Sequence, residues 1–234
     1  MMAKRDEWLS GQIGFDAFHF EPTVPPEDQI QEIEDSVTWF GDVKIDAQRT
    51  EHSVEFGKFG FALVDTNVQL TLSNRTSNDS RLSVPGFSRF ATLDDEQSVR
   101  AIAASPFIYD RFHTDPRFSS ETANSIKANW AGNYFSGARG DWMVVAEFAG
   151  EVTGFLQLLS SPDKNLVIDL IAVAASHQGK GIARDMIAYA GNNCLPGNDM
   201  LVGTQLANVA SLAFYQKLGF EIRSSAHMLH YHNA

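Results

Sequence analysis

The stretch Ser176-His-Gln-Gly-Lys-Gly-Ile-Ala-Arg-Asp-Met186 (SHQGKGIARDM) follows directly on the apolar run VIDLIAVAA, residues 167–175. The run has the length and β-branched content of a buried strand, and the residues after Gly181 have helical periodicity. A helix start leaves several backbone N–H groups unpaired and carries partial positive charge, so it is a ready anion site. Gly179 and Gly181 remove β-carbons that would hold a phosphate away from those groups, and Lys180 adds charge nearby. An ordinary strand-to-helix turn would use such glycines as well. Two common phosphate patterns do not fit. Ala174 stands where a P-loop needs its first glycine, and Gly181 follows the lysine in place of Ser or Thr. Arg184 occupies the third-glycine position of the dinucleotide fingerprint.

Composition narrows the classes. At 234 residues and 44% hydrophobic the chain can bury a proper core. Its start, MMAKRDEWLSG, has no apolar signal region, and no run approaches the ~18 apolar residues of a membrane span, so a cytoplasmic protein without membrane partner is expected. The single cysteine, Cys194, excludes an internal disulfide and is read as core. A net charge of -11 argues against nucleic acid as partner.

The polar, turn-rich segment NRTSNDSRLSVPG, residues 74–86, predicts a boundary between a smaller first half, 1–86, and a second half, 87–234. In the second half the pattern predicts a short strand at 88–92, a helix over about 94–104 and a loop. A helix capped by Ser119 or Ser120 comes next, carrying Ile126, Trp130 and Tyr134. A hairpin turning at Ala149-Gly150 and the strand LVIDLIAV follow, then a helix over about 180–194 and the strand MLVGTQL. A helix over about 209–217 and a strand within 227–232 close the chain. The expected class is α/β (α+β), a mixed and largely antiparallel sheet flanked by helices. FGKFGFALVDTNVQL, from Phe56, also echoes YQKLGFEIRSSAHML, from Tyr215. Either both are glycine-capped helix ends before strands, or the first half is a degenerate duplicate serving as scaffold.

Two motifs carry a resemblance. LIAVAASHQGKGIA holds Gln178, Gly181 and Ala183 in the order Gln/Arg-x-x-Gly-x-Gly/Ala, and NVASLAFYQKLGF matches Asn-x-x-Ser/Ala-x-x-x-Tyr-x-Lys/Arg-x-Gly-Phe throughout. Together they resemble the acyl-CoA signatures of the GNAT superfamily of N-acetyltransferases, over roughly residues 88–234. Ala175 departs from the proline that members often carry after the strand. The resemblance implies acetyl-CoA as cosubstrate and no metal. Backbone groups of Ile171, Ala172 and Val173 would meet the pantetheine arm, and the N–H groups of Gln178, Gly179, Lys180, Gly181, Ile182 and Ala183 would surround the pyrophosphate. Asn208 would bond the CoA arm with Ser211 on the same face. Tyr215 would protonate the leaving thiolate, as a phenol of pKa near ~10 can without ionising at neutral pH.

The implied reaction is direct attack by a neutral primary amine in a ternary complex, with a strand N–H near Ile171 stabilising the oxyanion. Proton removal is expected of Asp169, His113 or a water. Simple alternation along the strand places Asp169, Ile171 and Val173 on one face; if Asp169 meets the cleft it is base or acceptor ligand, and if it meets a helix it caps or pairs.

For the acceptor, YDRFHTDPRF gathers Arg111, His113 and Arg117 among Tyr109, Phe112 and Phe118. Guanidiniums pair with phosphates and aromatic faces stack on bases. The overall plan also resembles superfamily members that acetylate the 4-amino group of a dTDP-linked sugar (the dTDP-fucosamine type), which carry a degenerate half before the working one. A nucleotide-sugar acceptor is therefore expected to meet Arg111, Phe112, His113, Arg117, Asp169 and Gln205. An aminoglycoside-like or amino-acid amine, a protein amine and a non-catalytic acyl-CoA sensor are the alternatives. The protein is expected as monomer or homodimer. His227, His230 and His232 alternate at the end of the chain and, lacking carboxylate or cysteine company in sequence, read as surface residues.

Overall fold

The computed structural model describes residues 3–33, 38–73, 87–105 and 107–233. The expected boundary at 74–86 lies outside them. The first half runs β1 (Lys4–Arg5), α1 (Glu7–Ile13), β2 (Asp16–Phe20), α2 (Pro26–Ile30), β3 (Trp39–Asp46), α3 (Thr50–Lys58) and β4 (Ala62–Leu72). The second runs β5 (Ser88–Phe90), α4 (Glu96–Ala103), α5 (Arg111–Thr114), α6 (Ser120–Gly132), β6 (Trp142–Phe148), β7 (Glu151–Ser160), β8 (Leu166–Val173), α7 (Ile182–Asn193), β9 (Met200–Gln205), α8 (Val209–Lys217) and β10 (Glu221–Asn233).

Among the described residues these ten strands form one sheet, in the order β1-β2-β3-β10-β4-β9-β8-β7-β6-β5. Only β2 with β3 and β8 with β9 run parallel. The last strand lies between two strands of the first half, β3 and β4, while β4 pairs with β9. The units β3-α3-β4 and β9-α8-β10 have thus exchanged their final strands. Their helix ends match in detail: Phe61 N–H donates to Phe56 O (3.1 Å), and Phe220 N–H to Tyr215 O (3.0 Å).

Local chemistry explains the helices that shape the site. Ser119 Oγ accepts from the Thr122 amide at 3.0 Å and starts α6 where the sequence places it. Asp95 bonds the Thr92 amide and hydroxyl and pairs with Arg89, fixing the entry to α4. The acceptor-loop segment contains a short helix the sequence does not announce, α5, capped by Asp110 through the Phe112 amide. Packing settles the layers. α7 and α8 bury Ile182, Met186, Ile187 and Tyr215 against Val68, Leu70, Leu156 and Ile168. On the opposite face α4 and α6 bury Val99, Ala103 and Ala131 against Val145, Phe155, Leu170 and Ala172. α1 and α5 extend that second layer through Leu9 and Phe112, packed with Ile126 of α6 and Phe40. Both faces of β8 are therefore covered, which is why it reads as a continuous apolar run.

Candidate active site

The parallel ladder between β8 and β9 ends at Ile168 and Val202, yet β8 continues to Val173 and β9 to Gln205. Beyond that point the strands part, so the edge of β8 from Asp169 onward faces a cleft instead of a neighbour. A cavity of about 130 Å³ lies there, lined by Ile171, Gln205, Asn208, Ser211 and Tyr215 among others. The helical spacing of the last three brings them to one wall, as expected. Asn208 also caps α8, its Oδ1 accepting from the Ser211 amide at 3.1 Å. Tyr215 is 3% exposed, and burial pushes its phenol well above the ordinary value. It is a weaker acid than a free phenol and stays protonated.

At the end of β8 a 3₁₀ turn, Ala175–His177, leads to Gln178, whose Nε2 donates back to Val173 O at 3.2 Å. Gly179 and Gly181 then adopt φ of +75° and +82°, and Gly181 is the N-cap of α7. A β-carbon at either would meet nothing within 4 Å. Glycine is thus required by the left-handed backbone and not by crowding. With no side chain at the N-cap, the first amides of the twelve-residue α7 carry no side-chain cap.

Asp169 departs from simple alternation. Gln157 pairs with Leu170 and Leu158 with Ile168, which leaves Asp169 as the extra residue of a β-bulge. The bulge turns Asp169 away from the face of Ile171 and Val173 toward α6. There its Oδ2 accepts from Trp130 Nε1 (2.9 Å), Arg139 Nε (2.8 Å) and Gln157 Nε2 (3.1 Å), and its Oδ1 accepts from Arg139 at 2.7 Å. Asp169 thus lines the cleft and at the same time pairs with Trp130, Arg139 and Gln157. Lys127 and Asp110 border the same cleft. Burial lowers the Lys127 ammonium below its ordinary value, and its Nζ lies 3.7 Å from Asp110.

On the far side of the Asp169-Trp130-Arg139 group is a larger cavity of about 390 Å³, lined by Asp6, Trp8, His19, Arg111, Phe112 and Arg139 with neighbours. Trp8 and Trp130 meet edge to face at 5.7 Å. His19 donates from Nδ1 to Asp42 (2.7 Å) and from Nε2 to Asp6 (2.8 Å). Because carboxylates only accept, both ring nitrogens carry protons; the bonds to Asp42 and Asp6 raise the imidazole to about 9. Buried Asp42 also takes Arg111, and despite its burial that guanidinium and His19 hold it down to about 2.

Arg111 and Phe112 line this second cavity, and Asp169 and Gln205 the first. His113 and Arg117 line neither. His113 is held by Asp110 Oδ2 (2.5 Å) and Asn124 Oδ1 (3.0 Å), and Arg117 is exposed. The first half is more than scaffold, since it supplies Asp6, Trp8 and His19 to the wall. Lys127 had a visible signal: it is a charge on the buried Ala123, Ile126, Ala131 stripe of α6. Arg139, Trp8 and His19 had none. Cys194 is buried, as expected. His230 is not a surface residue; at 1% exposure it bonds Asp115 Oδ2 (2.8 Å), as does His232 (2.7 Å). The carboxylate comes from a loop more than a hundred residues away, so sequence company says nothing of it.

Residues 139–222, which span the β8 edge, the glycine turn and the Asn208–Tyr215 helix, match the acetyltransferase (GNAT) domain family. The chain carries a GNAT acetyltransferase domain. The chain is 33% identical over 138 residues to the spore coat polysaccharide biosynthesis protein SpsD of Bacillus subtilis (strain 168), covering 58% of this chain and 47% of SpsD. It therefore spans about half the length of that relative. It is 26% identical over 190 residues to a dTDP-fucosamine acetyltransferase of Escherichia coli O6:H1, covering 80% of this chain and 79% of that protein. Its fold is shared with a tandem GNAT protein from the clavulanic acid biosynthesis pathway, at 12% identity and TM-score 0.57 over 93% of this chain and 75% of that one. No helix among the described residues is long and apolar enough to cross a membrane.

Proposed function

We propose that the chain transfers an acetyl group from acetyl-CoA to the primary amine of a small acceptor, the 4-amino group of a dTDP-linked amino sugar. One observation carries the reading. Two cavities of different character meet at the Asp169-Trp130-Arg139 group, one along an unpaired strand edge and one lined by tryptophan and cationic side chains.

In this reading the pantetheine arm adds to the free edge of β8 through Ile171, Ala172 and Val173, as a peptide adds to a sheet edge. The pyrophosphate sits on the amides of Gln178 to Ala183, where the left-handed glycines turn N–H groups outward. Asn208 and Ser211 hold the arm, and a β8 N–H near Ile171 faces the carbonyl oxygen as charge develops on it. Tyr215, kept protonated by burial, gives its proton to the departing sulfur. Asp169 acts as a positioning residue, because four N–H bonds occupy its two oxygens. His113 is likewise committed to Asp110 and Asn124. Proton removal from the ammonium therefore falls to water, and the free amine then attacks the acetyl carbon.

Arg111, Arg139 and doubly protonated His19, already paired with Asp42, Asp169 and Asp6, supply N–H donors, and Trp8 and Trp130 the flat apolar faces, that suit a nucleoside diphosphate sugar. The relatives named for polysaccharide biosynthesis and for dTDP-fucosamine agree with that class. We read residues 1–86 as a degenerate GNAT-like half and 87–234 as the catalytic half. The exchanged strands and matched helix ends support this reading, as does the tandem neighbour.

The experiment is a thermal-shift panel of nucleotide sugars with and without acetyl-CoA, followed by turnover on any that stabilise. Selective stabilisation and acetylation of a dTDP-amino sugar is expected. Stabilisation by acetyl-CoA with turnover only on aminoglycosides would overturn the acceptor, and no stabilisation by acetyl-CoA would overturn the whole reading.

A further inference from the structure

Outside both cavities, β10 places His230 and His232 two residues apart on one face, and Asp115, the residue closing α5, reaches them from the acceptor loop. His230 Nδ1 and His232 Nε2 both lie on Asp115 Oδ2, at 2.8 and 2.7 Å. One ligand atom from each of the three residues falls within 4.8 Å of the others. Among the described residues, Asp115 Oδ1 accepts only the Arg117 amide, at 3.0 Å. The surroundings are aromatic. Phe40 stands 4.7 Å from the His230 ring and 5.1 Å from that of His232, and Phe118 is 5.2 Å from His232.

Without an ion, both rings must donate to one carboxylate oxygen. His230 then keeps a bare Nε2, and that atom is buried with no hydrogen-bond partner among the described residues. Such an orphan is costly in an aromatic enclosure. An ion between the three groups removes the bare acceptor: His230 binds through Nδ1 and its proton moves to Nε2, on a ring that meets Phe40 at an interplanar angle of 84°. Donor atoms at roughly 2.0–2.2 Å from zinc stand somewhat over 3 Å apart, so each ring nitrogen needs to draw back from Asp115 Oδ2 by about half an ångström. Two imidazoles and one carboxylate suit borderline divalent ions and not calcium or magnesium. His232, 11% exposed, is the more open of the two rings.

We propose that Asp115, His230 and His232 bind one divalent transition-metal ion, of which zinc is the example, and that the ion ties the acceptor loop to the last strand. The site is distinct from the acyl-transfer cleft. Its role is structural: Asp115 follows Arg111 and Phe112, which line the larger cavity, so the ion fixes that wall without meeting the reacting atoms.

The test uses the full chain without an affinity tag, stripped by chelator and titrated with zinc by calorimetry and with cobalt(II) by visible absorption. One equivalent is expected in the wild type and in His227→Gln, with a tetrahedral cobalt spectrum and a higher melting temperature. His232→Gln and Asp115→Asn keep hydrogen-bonding groups and should fold when chelated. Losing a ligand costs them at least the tenfold to hundredfold seen for outer-shell changes, so on the order of 100-fold or more in affinity. Histidine ring ¹⁵N spectra of the wild type read the same event directly, as zinc strips the proton from His230 Nδ1. Absence of stoichiometric binding, equal binding by His232→Gln, or an unchanged His230 tautomer would each overturn the site.

Discussion

Asp169 and Arg139 form a bidentate pair, at 2.7 and 2.8 Å, that closes the wall between the strand-edge cleft and the tryptophan-lined cavity. The carboxylate is nearly buried and the guanidinium half-open, so the pair fixes geometry and contributes little net stability. Arg139→Ala is expected to raise KM for the acceptor while leaving the dissociation constant for acetyl-CoA unchanged, measured by steady-state kinetics and calorimetry. Unchanged acceptor KM would remove Arg139 from the acceptor site.

Asp169→Asn separates positioning from base catalysis. A lost general base costs ~10²–10⁴-fold and flattens the acid limb of the pH–rate profile. The bulged residue already accepts four N–H bonds, so the expected result is a smaller drop with the limb retained. A flattened limb would return Asp169 to the base role.

Tyr215→Phe keeps the buried ring and removes the hydroxyl. Binding of acetyl-CoA should persist while kcat falls by ~10²-fold or more, the lower end of what a proton donor supplies. Pre-steady-state measurement of acyl transfer tells this loss from slow product release.

Gly181→Ala places a β-carbon in open space but on a backbone at φ +82°. The strain is about 1–2 kcal/mol, and relieving it turns the amides of the loop. Weaker acetyl-CoA binding with little change in acceptor KM is expected. Calorimetry at equal folded fraction checks it, and wild-type affinity would show that the turn does not hold the phosphates.

The His19 pair gives a pH signature. Its folded value, about 9, lies above the ordinary 6.5. The stabilisation is therefore complete below pH ~6.5 and is lost as pH rises through about 9. His19 is partly exposed, which screens the effect. The melting-temperature gap between wild type and His19→Gln should be largest at pH 6 and vanish near pH 10. Asp42, held to about 2, acts in the opposite sense, its contribution fading only as pH falls from ~4 through about 2. A gap that is constant with pH would contradict the doubly protonated ring.

Sequence alone determined whatever depends on local pattern. The glycine pair at the start of α7, the Asn208-Ser211-Tyr215 face and the apolar run of β8 are set by residues near one another in the chain, because backbone conformation and helical spacing are local properties. It also determined the strand and helix order of the second half apart from the short α5. Tertiary structure decided the rest. A single unpaired residue in the β7–β8 ladder turned Asp169 to the other face, since a bulge is a relation between two strands and leaves no mark on one. The exchange of β4 and β10 brought Trp8 and His19 of the first half to the same wall as Arg111 and Arg139. The same pairing of distant strands set Asp115 beside His230 and His232, joining polar groups that sequence separates by more than a hundred residues and that need each other once buried.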